Sequence, residues 1–308
     1  MGKMNNSYLN RACPICNSVK VDKKVIQSKI QSENLTLEEL RPYWNGFFKD
    51  KVFFTYYRCS SCSLLYAKSF FTKKHLDDLY SNMPNNTAGV SVDTLQKTQS
   101  GYYELIKKNI EDKKGSYLEL GPDIGLLTRC VIKKKSFDKV HLLEPNKEVW
   151  GQLKEIDNSQ EILISNSTDD FSEIKDSTLS LVVMIHGPDH FINPRDTLEK
   201  LKLKMKKKGI IAFVNHDESS MVAKITGSNW PAYCMQHPQL FNTKSIAKLF
   251  EVSGFEVLNS YKTKNYFPIS YLVKHGFWAL GLKANFNFNN NLEIGLKLGN
   301  IMTIATLK

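Results

Sequence analysis

Arginine is scarce in this chain of 308 residues. Of 42 basic residues only five are arginine, namely Arg11, Arg41, Arg58, Arg129 and Arg195. The formal net charge of +11 is compatible with nucleic acid or anionic small molecules as partners. Arginine is the preferred two-pronged donor for phosphates and base edges, so its scarcity argues against a dedicated nucleic-acid surface.

Long hydrophobic runs are also missing. Residues 1–14 lack the apolar segment of a secretory signal. The most apolar late stretch, residues 266–282, is interrupted by Lys274 and His275 and is too short to span a bilayer. We therefore expect a cytoplasmic protein without a membrane span, and the sequence does not set its oligomeric state.

Cysteine is limited to six residues, but four of them form two close pairs. In a reducing compartment such pairs bind metal more often than they form disulfides. A gap of two residues lets two thiolates face one tetrahedral ion. The segment between the pairs is long for a zinc ribbon, which indicates an insertion. We predict a small zinc-ribbon-like domain over residues 1–71, with Zn²⁺ bound by Cys13, Cys16, Cys59 and Cys62.

From residue 116 onward, apolar strand patterns alternate with helical patterns. The predicted strands are 116–120, 140–144, 161–165, 179–185, 209–215, 255–261 and 301–308. The predicted helices between them are 126–135, 147–156, 194–209 and 243–254. This alternation predicts an α/β domain over residues 113–308, with a mostly parallel sheet covered by helices on both faces. Residues 72–112 have helical patterns and are predicted to form a linker or lid.

The turn YLELGPDIG (117–125) follows the first predicted strand and places Asp123 between Gly121 and Gly125. Ligands of open α/β sheets bind at the carboxyl ends of the strands, so this turn is the expected binding loop. A dinucleotide loop has glycine where Asp123 stands and faces phosphates, which a carboxylate would repel. S-adenosylmethionine (SAM) has no phosphate, and its ammonium group can pair with Asp123. Aspartate also tolerates the left-handed backbone conformation. Alternatively, Asp123 caps the next helix.

Glu144 ends the second strand, roughly 20 residues after the glycine turn. A carboxylate there can accept hydrogen bonds from both ribose hydroxyls of a nucleoside. Residues 165–171, after the third strand, supply polar groups where the adenine should lie.

The assembled pattern resembles the class I SAM-dependent methyltransferases, and more closely the group with an N-terminal zinc-binding domain found among sugar and surface-polysaccharide methyltransferases. The segments that carry this resemblance are the two cysteine pairs, 117–125, 186–194, 206–215 and 229–257. The resemblance implies a Rossmann-like class I methyltransferase sheet and SAM and Zn²⁺ as cofactors. It also implies a small acceptor, such as a sugar or a nucleotide-linked precursor of a surface polysaccharide. We expect the cofactor site to contain Glu119, Gly121, Asp123, Gly125, Glu144, Pro145, Asn166, Ser167 and His186.

The chain departs from this pattern in several places. Asp123 replaces the central glycine, Lys208 replaces a proline, and Gly187-Pro188 replaces an apolar pair and should bend the segment after the fourth strand. The long C-terminal extension of the sugar C-methyltransferases is missing, so we expect O-methylation rather than C-methylation.

An alcohol acceptor must lose a proton during methyl transfer, and histidine is the usual base at neutral pH. His190 is the first candidate, followed by His186 and His237, each of which can instead be structural. Asp189 can orient a histidine or bind acceptor hydroxyls. Tyr80 can line the acceptor site or pack within its own helix.

Two alternatives remain at this point. The zinc module and the positive charge can present RNA to the same methyltransferase core, which salt-dependent binding would reveal. Alternatively, the altered glycine turn can mark a scaffold protein that does not bind SAM.

Overall fold

The computed structural model describes residues 8–44, 51–81, 90–110, 114–156, 159–167, 169–279 and 292–308. The strands are β1 Tyr8–Asn10, β2 Val21–Ile26, β3 Tyr56–Cys59, β4 Leu65–Ala67, β5 Ser69–Phe71, β6 Ser116–Leu120, β7 Val140–Leu143, β8 Ile162–Ser165, β9 Leu179–Ile185, β10 Met205–His216, β11 Gln239–Leu240, β12 Phe255–Lys262, β13 Asn265–Pro268, β14 Glu293–Leu296 and β15 Asn300–Leu307. The α-helices are α1 Leu37–Leu40, α2 Lys73–Ser81, α3 Val92–Ile106, α4 Leu126–Lys134, α5 Trp150–Lys154, α6 Pro194–Lys204, α7 Met221–Thr226, α8 Thr243–Val252 and α9 Ile269–Ala279.

Seven of these strands form the main sheet, in the order β12-β15-β10-β9-β6-β7-β8. The strands β8, β7, β6, β9 and β10 pair in parallel. The last strand, β15, lies antiparallel between β10 and β12. The predicted α/β sheet is therefore confirmed. The carboxyl ends of its parallel strands meet at one edge, and this edge carries the candidate site.

The main sheet has an apolar layer on each face. Successive residues of a strand point to opposite faces. On one face, Leu118 and Ile211 pack with residues of α6 and α8. On the other face, Tyr117 and Ile210 pack with residues of α3 and α4. Because both faces are buried, the strands are continuous apolar runs rather than alternating ones.

A smaller antiparallel sheet, in the order β11-β4-β3-β2, contains the N-terminal strands. Its edge strand β11 comes from Gln239–Leu240, far along the chain, and pairs with β4. Two turns in this region carry the cysteine pairs. The strand pairing thus crosses the boundary predicted at residue 71 and fixes the cysteine-containing region to the rest of the protein.

The predicted linker contains α2 and α3, and its residues 82–89 and 111–112 lie outside the described residues. The helix predicted over 194–209 ends earlier, at Lys204, and β10 already begins at Met205. Met205 is buried and pairs with Leu179, so the chain joins the sheet before the lysines at 206–208, which form an irregularity in the strand pairing.

In the part of the chain that the structure describes, no helix combines the length and hydropathy needed to cross a membrane.

Candidate active site

The glycine turn after β6 is left-handed at three positions. The φ angles are 66° at Gly121, 53° at Asp123 and 75° at Gly125. A Cβ at Gly125 would lie 2.4 Å from the side chain of Ile156, whereas a Cβ at Gly121 would meet nothing within 4 Å. Gly125 is therefore required by both backbone and packing. Gly121 is required by its backbone alone and leaves open space above the strand ends.

Glu144 connects this turn to the end of β7. One carboxylate oxygen accepts the backbone N–H of Asp123 at 2.9 Å, and the other accepts that of Asn146 at 2.8 Å. Each oxygen keeps a second lone pair for another donor. Burial raises the pKa of Glu144. The N-cap position of α4 is occupied by Gly125 and not by Asp123, so no side chain caps this helix.

Glu119 lies inside the sheet, below the turn. Its carboxyl group is 2% exposed, and one oxygen accepts hydrogen bonds from the hydroxyls of Tyr117 and Thr128. Burial raises the pKa of Glu119 to about 7, although both hydroxyls oppose the shift. In this position the Glu119 carboxylate connects β6 to α4. Of the other predicted cofactor residues, Pro145 and Asn166 are exposed, and Ser167 accepts two backbone N–H groups of its own loop.

Four of the seven histidines of the chain form one cluster at the same edge of the sheet. The ring centroids of His186 and His216 are 4.7 Å apart, and those of His216 and His237 are 5.1 Å apart. The ring of His190 lies 4.6 Å from that of His237. The four rings therefore form a continuous row. The structure brings together the three predicted histidines and adds His216.

His186 begins the segment after β9 in a left-handed conformation, with φ of 54°. This conformation is uncommon for a residue other than glycine and marks local strain. A Cβ at Gly187 would lie 2.1 Å from the side chain of Met184, so a larger residue there would require Met184 to move. The chain then turns tightly, with the His190 N–H donating to the Gly187 carbonyl at 2.9 Å. This turn directs His186, Asp189 and His190 into the cluster.

His190, at one end of the row, and its neighbour His237 have different partners. The hydroxyl of Tyr80, on α2, lies 3.0 Å from Nδ1 of His190, whose ring also hydrogen-bonds the backbone of Gln236. Burial holds the pKa of His190 well below its usual value, so the ring is neutral. His237 donates from Nδ1 to the Ala232 carbonyl at 2.7 Å. Burial alone would lower the pKa of His237, but Cys234 and Asp189 raise it to about 9.

Asp189 is fully buried beside the row. Its Oδ2 accepts the backbone N–H of His216 at 2.9 Å, while its Oδ1 has no hydrogen-bond partner among the described residues. Burial raises the pKa of Asp189 to about 7.

Sequence reasoning missed the residues that hold the segment after β9. The Arg11 guanidinium is 9% exposed and donates to the carbonyls of Ile192 and Pro238 and to the side chain of Gln239. Gln239 in turn donates to the carbonyls of Pro188 and Phe191. The cysteine-containing region thus positions the candidate acceptor site. No local pattern around Arg11 signals this role.

His216 was also missed, although a signal for it exists. It is the last residue of β10, and His186 follows β9, the parallel neighbour of β10. The rule that selected His186, a polar residue at the carboxyl end of a parallel strand, selects His216 equally well.

The cysteine cluster lies in the N-terminal region. The sulfur atoms of Cys13 and Cys62 are 3.4 Å apart, those of Cys16 and Cys59 are 3.5 Å apart, and all four lie within 4.8 Å of one another. Four thiolates at about 2.3 Å from one tetrahedral zinc ion are separated by about 3.8 Å. The spacing of the sulfur atoms therefore fits such an ion.

Comparison with known proteins agrees with the fold. The model of a methyltransferase domain family matches residues 96–260, which is more than half of the chain. No curated protein matches this chain. Among solved structures, it is similar to a chain in the complex between the Haloferax volcanii Trm112 methyltransferase activator and a methyltransferase, with 12% identity, a TM-score of 0.51, and coverage of 70% of this chain and 92% of that chain. A SAM-dependent methyltransferase from Aquifex aeolicus has 11% identity and a TM-score of 0.48, with coverage of 71% and 94%.

The sheet order and the family match together define the class of this protein. It belongs to the methyltransferase domain family and has the class I, Rossmann-like fold. It is a SAM-dependent methyltransferase.

Proposed function

We propose that this enzyme transfers the methyl group of SAM to a hydroxyl oxygen of a small acceptor, a sugar or a nucleotide-linked precursor of a surface polysaccharide. The observation that carries the proposal is the position of the histidine row. It lies after β9 and β10, at the edge of the sheet that also holds the glycine turn after β6. Methyl donor and acceptor site thus lie side by side, as an in-line displacement requires.

The glycine turn and Glu144 hold the cofactor. The open space at Gly121 admits the methionine end of SAM, and Asp123 lies where it can pair with the ammonium group. Glu144 accepts the ribose hydroxyls with the lone pairs that its two backbone donors leave free. SAM supplies an electrophilic methyl group on its sulfonium sulfur.

Tyr80 and His190 remove the acceptor proton. Because the His190 ring is neutral and its Nδ1 faces the Tyr80 hydroxyl at 3.0 Å, the tyrosine oxygen can take the acceptor proton while the tyrosine hydroxyl passes its own proton to Nδ1 of His190. The acceptor oxygen forms the new bond to carbon, and the electrons of the broken carbon–sulfur bond remain on sulfur. His186 and His237 complete the wall of the site.

The four cysteines hold one structural Zn²⁺. Four thiolates leave no open position for water, so the ion stabilises the N-terminal domain and takes no part in methyl transfer. The chain then divides into a zinc domain over residues 1–71, a linker or lid over 72–112 whose helix α2 supplies Tyr80, and the methyltransferase domain over 113–308.

The five arginines argue against RNA as the acceptor. All of them have partners within the protein: Arg11 binds backbone carbonyls, Arg58 pairs with Glu218, Arg41 with Asp78 and Arg195 with Glu199, and Arg129 binds the carbonyl of Gln152. A phosphate-binding surface uses such forks to bind phosphate, so forks that are already paired within the protein do not indicate one.

The test is a screen of nucleotide sugars with SAM, in which mass spectrometry detects the addition of one methyl group. The proposal predicts a methylated product whose new carbon is bonded to oxygen, and no product with Tyr80→Phe/His190→Gln protein. Methylation of RNA alone, or of carbon or nitrogen atoms in the sugar panel, contradicts the proposed acceptor chemistry.

A further inference from the structure

Three side chains of the candidate site form a set of metal ligands distinct from the cysteines. Ligand atoms of His186, Asp189 and His216 lie within 4.8 Å of one another. Nδ1 of His186 and Oδ1 of Asp189 are buried and have no hydrogen-bond partner among the described residues. Buried polar atoms of this kind are costly unless another group binds them.

The third ligand, His216, is oriented by a neighbour. Its Nδ1 lies 3.0 Å from Oδ1 of Asn300, so this nitrogen carries the proton and Nε2 keeps its lone pair. Metal-binding histidines typically donate their other ring N–H to an oxygen in this way. Asp189 is fixed similarly, because its Oδ2 accepts the His216 backbone N–H and only Oδ1 stays free.

Asp189 contributes a carboxylate to the site, and the ring of His237, whose pKa is raised, lies 5.1 Å from that of His216. The fully buried Asp189 has no cationic side chain bonded to it in the described part of the chain.

From this geometry we infer a second metal site, in which His186, Asp189 and His216 bind one divalent first-row transition-metal ion. Two imidazoles and one carboxylate suit ions such as Fe²⁺, Co²⁺ or Zn²⁺ and leave coordination positions open. Neighbouring ligand atoms around such an ion are about 3–3.5 Å apart at metal–ligand distances near 2.1 Å, so binding draws the three side chains inward.

The site lies next to the Tyr80–His190 pair, which gives the ion a role that rests on the proposed function. An ion in this position binds the acceptor hydroxyl oxygen and lowers its pKa, so that the proton leaves more readily. Binding of the ion itself does not depend on that role.

Cobalt binding to the full-length protein tests the inference. The protein is first loaded with a single equivalent of zinc, which the four thiolates bind, and metal analysis verifies one zinc per chain. It is then titrated with Co²⁺ alone by calorimetry and visible absorption. We expect one Co²⁺ per chain with weak absorption that lacks the intense sulfur-to-cobalt band of a thiolate site. Asn300→Ala should weaken binding by about 10–100-fold, the range for loss of a supporting contact. Asp189→Asn and His216→Gln should weaken it further.

The matched control is His141→Gln, which changes a buried histidine on β7 away from the cluster and should leave Co²⁺ affinity unchanged. Absence of Co²⁺ binding in the wild type, or equal binding in all variants, overturns the site. If the ligand variants do not fold, X-ray absorption of the wild-type cobalt complex decides, since sulfur ligands contradict the inference and imidazole with oxygen ligands supports it. SAM binding is measured separately, so loss of the proposed methyl transfer is distinguishable from loss of the metal site.

Discussion

The cysteine cluster and the histidine cluster are both compact groups of potential ligands, but the chain assembles them differently. The cysteines come from two turns of the same form, in which Asn17 N–H bonds the Cys13 carbonyl and Ser63 N–H bonds the Cys59 carbonyl. Asn17 and Ser63 both have left-handed backbones. The histidines instead come from the ends of two strands and from a long loop. A local motif can therefore be recognised from spacing, whereas the histidine row exists only in the folded sheet.

The two clusters also differ in what surrounds them. The cysteines are held by backbone hydrogen bonds of their own turns, so the orientation of each pair depends mainly on residues close in sequence. The segment carrying His186, Asp189 and His190 is held by Arg11 and Gln239, which are distant in sequence. The proposed catalytic site is thus more dependent on long-range contacts than the proposed zinc site.

The largest expected effect comes from the cysteines. Cys13→Ser should abolish zinc binding and unfold the N-terminal domain, because structural zinc binding contributes about 10–16 kcal/mol of apparent free energy in zinc-finger peptides. Metal analysis and thermal unfolding measure both effects. Cys130→Ser, outside the cluster, serves as the control. Zinc-free Cys13→Ser protein that unfolds at the wild-type temperature would show that the cluster is not a structural metal site.

The histidine row should affect catalysis rather than folding. In His190→Gln the amide side chain can still form hydrogen bonds with Tyr80 and Gln236, but it cannot act as the base. Turnover on the identified acceptor should fall by on the order of 10²–10⁴-fold, the usual span for general-base catalysis, while SAM affinity stays constant. Steady-state kinetics and calorimetry separate the two quantities. Near-wild-type turnover in this variant removes His190 from the reaction.

Arg11 tests whether the two clusters are coupled. Arg11→Met leaves the Ile192 carbonyl and the Gln239 side-chain oxygen without the Arg11 donor, whereas the Pro238 carbonyl keeps the Ala67 N–H; the change should lower the free energy of unfolding by roughly 2–3 kcal/mol. It should also lower turnover, because the segment after β9 loses its support. Arg41→Met, on an exposed ion pair, is the control and should change neither. Equal stability and turnover of the two variants would show that the regions are independent.

The smallest expected effect is at the glycine turn, which lies apart from both clusters. Glu144→Ala should weaken SAM binding by roughly 1–3 kcal/mol, the range for lost hydrogen bonds to a charged group. Calorimetry checks this value, and Glu161→Ala, exposed at the start of the next strand, is the comparison variant. Unchanged affinity excludes Glu144 from the cofactor site.

Much of the fold could be predicted because the strands of the main sheet are continuous apolar runs separated by amphipathic helices. The end of α6 was harder to predict, because a lysine-rich stretch is compatible with a helix terminus and also with an irregular strand. Only the pairing of Met205 with Leu179 decides between these two structures. The antiparallel pairing of β13 with β14 was not predicted, because residues 269–292 separate the two strands in the sequence.

The sequence by itself determined the α/β sheet, the two cysteine pairs, the glycine turn with Asp123 and the carboxylate that follows the second strand. These features depend on periodicity and on spacing within a few residues, which the chain encodes locally. Tertiary structure alone decided that β11 completes the N-terminal sheet, that Arg11 and Gln239 hold the segment after β9, and that His216 joins His186 and Asp189. The physical reason is that parallel strands bring distant residues to one edge, and burial then determines which of their polar groups remain neutral and unpartnered.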